Sequence, residues 1–169
     1  STAYLVQVWV DQGNDKSTPD IADAPFIVTP QIFRINPNVG QTARLLYTGD
    51  NQQPRDRESI FYLNFHQIPA LNQSTADQNK LVMTLHSRLK VFYRPKTILG
   101  NVEEMPKKWT FVLQNNAKDS TITVNNPTGY YANLTTATLR TKQKSYHIAP
   151  NSVDMIAPYS SASWPIAEK

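Results

Sequence analysis

The sequence predicts an all-β protein of the sandwich class. Apolar residues recur with period two rather than 3.6, and clusters of turn-forming residues punctuate the chain at short intervals. Twelve prolines interrupt any long helix, and no amphipathic helical pattern is sustained anywhere.

The elements follow in order. Tyr4, Val6, Val8 and Val10 alternate with Leu5, Gln7 and Trp9, which reads as a first strand. Gln12-Gly13-Asn14-Asp15 turns the chain. Ile32, Phe33 and Ile35, then Ala43, Leu45 and Tyr47, give two short runs on either side of Asn36-Pro37-Asn38. Residues 60–65 are nearly continuous and aromatic-rich, as in a strand buried on both faces. Residues 109–113, 121–124 and 130–139 continue the pattern in the second half, broken at Asn125-Asn126-Pro127.

One run is unusually long. From Leu81 to Tyr93, the residues Leu81, Met83, Leu85, Leu89, Val91 and Tyr93 fall on one face, with Ser87 as a gap. Thr84, His86, Arg88, Lys90 and Arg94 fall on the other. At about 3.3 Å per residue the run extends about 40 Å, beyond an ordinary strand. Two readings fit. The apolar face packs on an opposing sheet, or part of it lies exposed along a sheet edge, able to add a strand to a partner. Pattern alone prefers the first. Arg94-Pro95 stops the run, because Pro95 has no ladder donor. A boundary placed there divides the chain into residues 1–95 and 96–169.

Composition bounds the chemistry. With 169 residues and a 40% hydrophobic fraction the chain can bury a real core. No cysteine is present, which excludes disulfides and cysteine-based metal sites. No apolar run approaches the roughly 20 residues of a membrane-spanning helix. The charge of +4 is mildly basic. Arg88, Lys90, Arg94 and Lys96 are the nearest thing to a nucleic-acid stripe, and one polar strand face accounts for them, so no nucleic-acid partner is expected.

His66, His86 and His147 form neither an HxH nor an HExxH spacing, and no metal or cofactor is expected. No nucleophile elbow, phosphate loop or dinucleotide fingerprint occurs. Asp56 and Glu58 resemble a carboxylate pair, but Arg55 and Arg57 interleave them, and a salt-bridged turn is the reading preferred. The chain is not expected to be an enzyme. Trp9, Trp109 and Trp164 leave one alternative, a β-sandwich adhesin or carbohydrate-binding module with aromatic stacking platforms, against the usual core role of such tryptophans.

Three stretches carry a resemblance. Residues 54–64 read Pro-Arg-Asp-Arg-Glu-Ser-Ile-Phe-Tyr-Leu-Asn and are followed by Ile68-Pro69. Residues 89–95 read Leu-Lys-Val-Phe-Tyr-Arg-Pro. Val124-Asn125-Asn126-Pro127-Thr128-Gly129-Tyr130-Tyr131 precedes Met155-Ile156-Ala157-Pro158-Tyr159. Together, and in this order, they resemble the PapD-like periplasmic chaperones of the chaperone–usher pilus pathway.

The resemblance implies two immunoglobulin-like β-sandwich domains in a boomerang, both incomplete here: 1–95 lacking its first strands, 96–169 lacking its last. It implies a chaperone that holds pilus subunits by donating an edge strand and delivers them to the outer-membrane usher. Leu81, Met83 and Leu85 are then the donated side chains, and the exposed-edge reading of the long strand takes precedence. Lys90 matches the cleft lysine that holds a subunit's terminal carboxylate. Its arginine partner lies on a strand that this sequence does not contain. Glu58 and Arg94 match two members of an interdomain salt bridge whose aspartate would lie beyond Lys169. The short segment of residues 69–80 and the absence of cysteine resemble the short-loop subclass. The periplasm is the implied compartment. A second copy of the chain, capping the exposed strand, is a further implied partner.

Overall fold

A computed structural model describes residues 3–49, 52–70, 81–115, 120–142, 144–148 and 153–166. These form eleven strands, one four-residue helix and two short 3-10 turns. The chain divides into two compact units. The first comprises 1–53 and 59–93, the second 54–58 and 94–169.

In the first unit, β1 (Tyr4–Asp11), β3 (Ile32–Ile35), β5 (Ser59–Pro69) and β6 (Leu85–Tyr93) form an antiparallel sheet in the order β3-β1-β5-β6. A second sheet pairs β2 (Phe26–Thr29) with β4 (Arg44–Tyr47). Period two explains the core. Val6, Val8 and Val10 point inward from β1, Phe61 from β5 and Val28 from β2, and all are buried. An aromatic chain ties the layers: Phe26 packs edge-on against Phe61 at 4.9 Å and Tyr47 at 5.2 Å, and Tyr47 stacks on Tyr93 at 4.3 Å.

β5 is central, as its aromatic-rich run predicts, but its second face is not apolar. Phe61, Leu63 and Phe65 face the core, whereas Tyr62, Asn64 and His66 occupy the other side, where Asn64 is buried.

The long strand is shorter than its pattern. β6 begins at Leu85, opposite Gln67, and Leu81–Thr84 lies outside it. The ladder explains the difference. The β5–β6 pairing closes at Gln67–Leu85. Its register places only Thr84 and Met83 opposite the last β5 residues, Ile68 and Pro69, where Pro69 has no N–H to donate, and Val82 and Leu81 lie beyond the end of β5.

In the second unit, the helix α1 (Met105–Lys108) leads into β7 (Thr110–Asn115), and β7, β8 (Ser120–Asn126) and β11 (Ser160–Ile166) form a sheet ordered β11-β8-β7. β9 (Thr138–Arg140) and β10 (Ser145–His147) form a short hairpin. Ile122, Val124, Trp164 and Ile166 from the sheet meet Ala132, Ile148, Val153 and Ile156 in one buried core. Alternation fails over 130–139, where the only ladder pairings are an isolated bridge at Ala132 and the first two residues of β9. Asn126 is the cause. Its Nδ2 donates to the Tyr130 carbonyl at 2.7 Å, and its Oδ1 accepts from the Thr128 amide at 3.2 Å and hydroxyl at 2.7 Å. This curls the backbone where the sequence pattern continues a strand.

Candidate functional site

β6 lies at the edge of its sheet. β5 pairs with one side through nine residues, and among the described residues no strand pairs with the other. The alternating apolar row that runs through β6 and back into residues 81–84 divides by position. Val91 and Tyr93 pack on the core, while Leu85, Met83 and Leu81 become steadily more exposed, at 56%, 77% and 89%. An open backbone edge thus runs into a segment with apolar side chains in water, an arrangement that favours strand addition. Lys90 is exposed, with its Cα opposite Tyr62 on the face that also carries His86 and Arg88.

That opposite face holds a polar network. Asp11, at the end of β1, is fully buried. It accepts hydrogen bonds from Arg88 Nη2 at 2.5 Å, Asn64 Nδ2 at 2.7 Å and the Gly13 amide at 2.6 Å. Burial works to raise its pKa, but the Arg88, Asn64 and Gly13 donors outweigh it and hold the carboxyl below its ordinary value. The Arg88 guanidinium lies 3.9 Å over the Tyr62 ring. Asn64 Oδ1 meets His86 Nε2 at 3.0 Å, and His86 stacks on Trp9 at 5.4 Å. Asp11 and Arg88 are 77 residues apart in sequence, so alternation within single strands carries no sign of their pairing.

Glu58 and Arg94 meet in the second unit. Arg94 Nε donates to Glu58 Oε1 at 2.5 Å, and the Tyr131 amide donates to Oε2 at 2.7 Å. The Glu58 amide donates to the Gly129 carbonyl at 2.8 Å. The rest of the turn is held similarly. Thr97 Oγ1 donates to the Arg55 carbonyl at 2.5 Å, and Tyr159 Oη to that of Asp56 at 3.1 Å. Asp56 pairs with Arg57 at 2.9 Å, so the DRES turn is a salt-bridged one. Arg88 and Arg94, two of the four basic residues considered as a stripe, are both in ion pairs. Among the described residues, no group of three or more His, Cys, Asp or Glu is arranged to hold a metal ion.

Trp9 and Trp164 are buried, and Trp109 packs against the second core. None forms an open platform for a sugar ring. The short-loop reading rests on a segment of which residues 71–80 lie outside the described residues.

Two family models match. The N-terminal domain of the PapD pili and flagellar-assembly chaperones matches residues 1–99, and the C-terminal domain of the PapD pili-assembly chaperones matches 104–169. The chain belongs to the PapD family of pilus-assembly chaperones. It is 36% identical over 158 residues to the probable fimbrial chaperone YadV of Escherichia coli, covering 92% of this chain and 63% of that relative. It is 39% identical over 133 residues to the chaperone protein FimB/FhaD of Bordetella pertussis, covering 77% and 53%. The crystal structure of the YadV chaperone superposes with a TM-score of 0.79 at 32% identity, over 99% of this chain and 73% of that one. The chain therefore spans a little over half to under two thirds of the length of these two curated relatives. The all-β, immunoglobulin-like class expected from the sequence is the class of this PapD-family fold, and the family is one of assembly chaperones rather than enzymes.

Proposed function

We propose that this PapD-family chain serves as a periplasmic chaperone that binds pilus subunits by strand addition and passes them to an outer-membrane usher. The observation that carries this reading is the open edge of β6, continued by exposed Leu85, Met83 and Leu81. Backbone groups along that edge supply generic affinity, and alternate apolar side chains fill pockets in the subunit. Burying three such side chains is worth roughly 1.5–3 kcal/mol each before the costs of association. That is enough to hold a subunit without ATP.

Lys90 is assigned the subunit's terminal carboxylate, where a charge-assisted bond would fix the register of the added strand. Glu58 and Arg94, at points where the chain passes between the two units, are assigned to the junction between the domains. We place the main boundary between 1–95 and 96–169, with the 54–58 turn contributed to the second. A second copy capping β6 is the resting state we assign to the unloaded chaperone, and light scattering that finds a monomer at high concentration removes it.

The test is co-expression with a tagged pilus subunit encoded beside the gene. Lys90→Ala is expected to lower co-purification sharply. Unchanged capture overturns the carboxylate role. Met83→Glu with Leu85→Glu is expected to abolish capture, and unchanged capture overturns strand addition.

A further inference from the structure

We propose that His66 and His86 form a binding site for a divalent transition-metal ion of the zinc–nickel type, linking β5 to the edge strand β6. The two histidines are directly opposite in the β5–β6 ladder, and their ring centroids lie 6.0 Å apart on the face away from the core. Two imidazoles on one ion require this kind of proximity, and imidazole donors suit zinc, nickel and copper.

The second observation is the bonding behind His86. The buried Asp11 carboxylate can only accept, so the Asn64 amide must turn its Nδ2 toward it. Asn64 Oδ1 then faces His86 Nε2 and can only accept as well, so His86 carries its proton on Nε2. In the neutral ring this leaves Nδ1 as the nitrogen with a lone pair. A histidine whose other N–H is held by a carbonyl-type oxygen, itself fixed by a buried carboxylate, has the outer-shell support typical of metal-ligating histidines. The Trp9 ring stacked on His86 fixes its plane further. Arg88, the nearest cation on β6, is paired with Asp11, so its charge is compensated. Water completes the sphere.

The site is independent of subunit binding and is tested without it. Zn²⁺ and Ni²⁺ are titrated into the protein by calorimetry and by tryptophan fluorescence. One equivalent is expected to bind, with Ni²⁺ quenching an emission component that Trp9→Phe removes. His66→Ala should weaken binding at least about tenfold and leave the circular dichroism unchanged, whereas His147→Ala should bind as the wild type. Zn²⁺ should raise the unfolding midpoint of the wild type and not that of His66→Ala. Binding to His66→Ala less than about tenfold weaker than to the wild type, binding lost with His147→Ala, or no saturable binding of either ion overturns the proposal.

Discussion

Arg88 on β6 reaches past the whole of β5 to bond Asp11 on β1 at 2.5 Å. One side chain thereby fastens three strands on one face, and the strand it belongs to is the edge strand.

Removing Arg88 is expected to destabilise the protein by roughly 2–3 kcal/mol. This is below the range for a fully enclosed pair, because the Arg88 side chain remains 26% exposed while Asp11 is 1% exposed. Urea unfolding of Arg88→Ala checks it, and a change within about 0.5 kcal/mol, the range of an ordinary surface substitution, sinks the argument.

The same network sets an acid limb. Asp11 has a folded-state pKa below its unfolded value of about 3.9, so its contribution is fully present above that value. The contribution is lost as pH falls from there through the folded value. Stability of the wild type should therefore drop more steeply below about pH 4 than that of Asp11→Asn. Parallel acid limbs in the two proteins would exclude Asp11 as the source.

Met83→Glu and Leu85→Glu, offered above as capture variants, should leave intrinsic stability within about 0.5 kcal/mol, because both side chains already stand in water. Thermal melts of the purified variants check this. A large loss would mean that the segment packs on the protein itself.

Glu58→Ala should cost about 2 kcal/mol or more, since it strips the Tyr131 amide and Arg94 of their acceptor. Arg94→Ala should cost less, because the Arg94 side chain is half exposed and the carboxylate keeps the Tyr131 donor. Equal losses in urea unfolding would contradict this asymmetry.

Gly129→Ala places a Cβ 2.5 Å from the Asp56 carbonyl oxygen and 2.9 Å from Ile98, and should cost roughly 1–3 kcal/mol. At Gly40 a Cβ meets nothing within 4 Å, so Gly40→Ala should be nearly silent in the same melts.

Legibility in the sequence followed the range of the interaction. β1, β3, β4 and β8 were readable because alternation is a property of neighbours along one strand. β11 was not, since Ser160-Ser161-Ala162-Ser163 has little apolar contrast and Pro165 argues against a strand. The apolar row of Leu81, Met83 and Leu85 is visible as a pattern, but whether anything packs over it is a tertiary fact that alternation along one strand does not carry. The Asp11–Asn64–His86–Arg88 network was invisible, because it depends on three strands lying side by side in one register. The turn at residues 56–59 reads as salt-bridged from its alternating charges, and Asp56–Arg57 is such a pair. The bond from Glu58 to Arg94 is legible only through the family resemblance, since the two lie 36 residues apart.

Residues 54–58 belong with the second unit although both flanking stretches belong with the first. The polypeptide therefore enters the second unit, returns, and enters it again. Ribosomal synthesis delivers the Pro54–Glu58 turn well before Thr97, Gly129, Tyr131 and Tyr159, the residues that hold it. During translation the Glu58 carboxylate must remain hydrated until those later residues emerge. A clean scission at residue 93 would leave that turn permanently in this nascent condition, so the two units cannot be obtained by dividing the gene at one point.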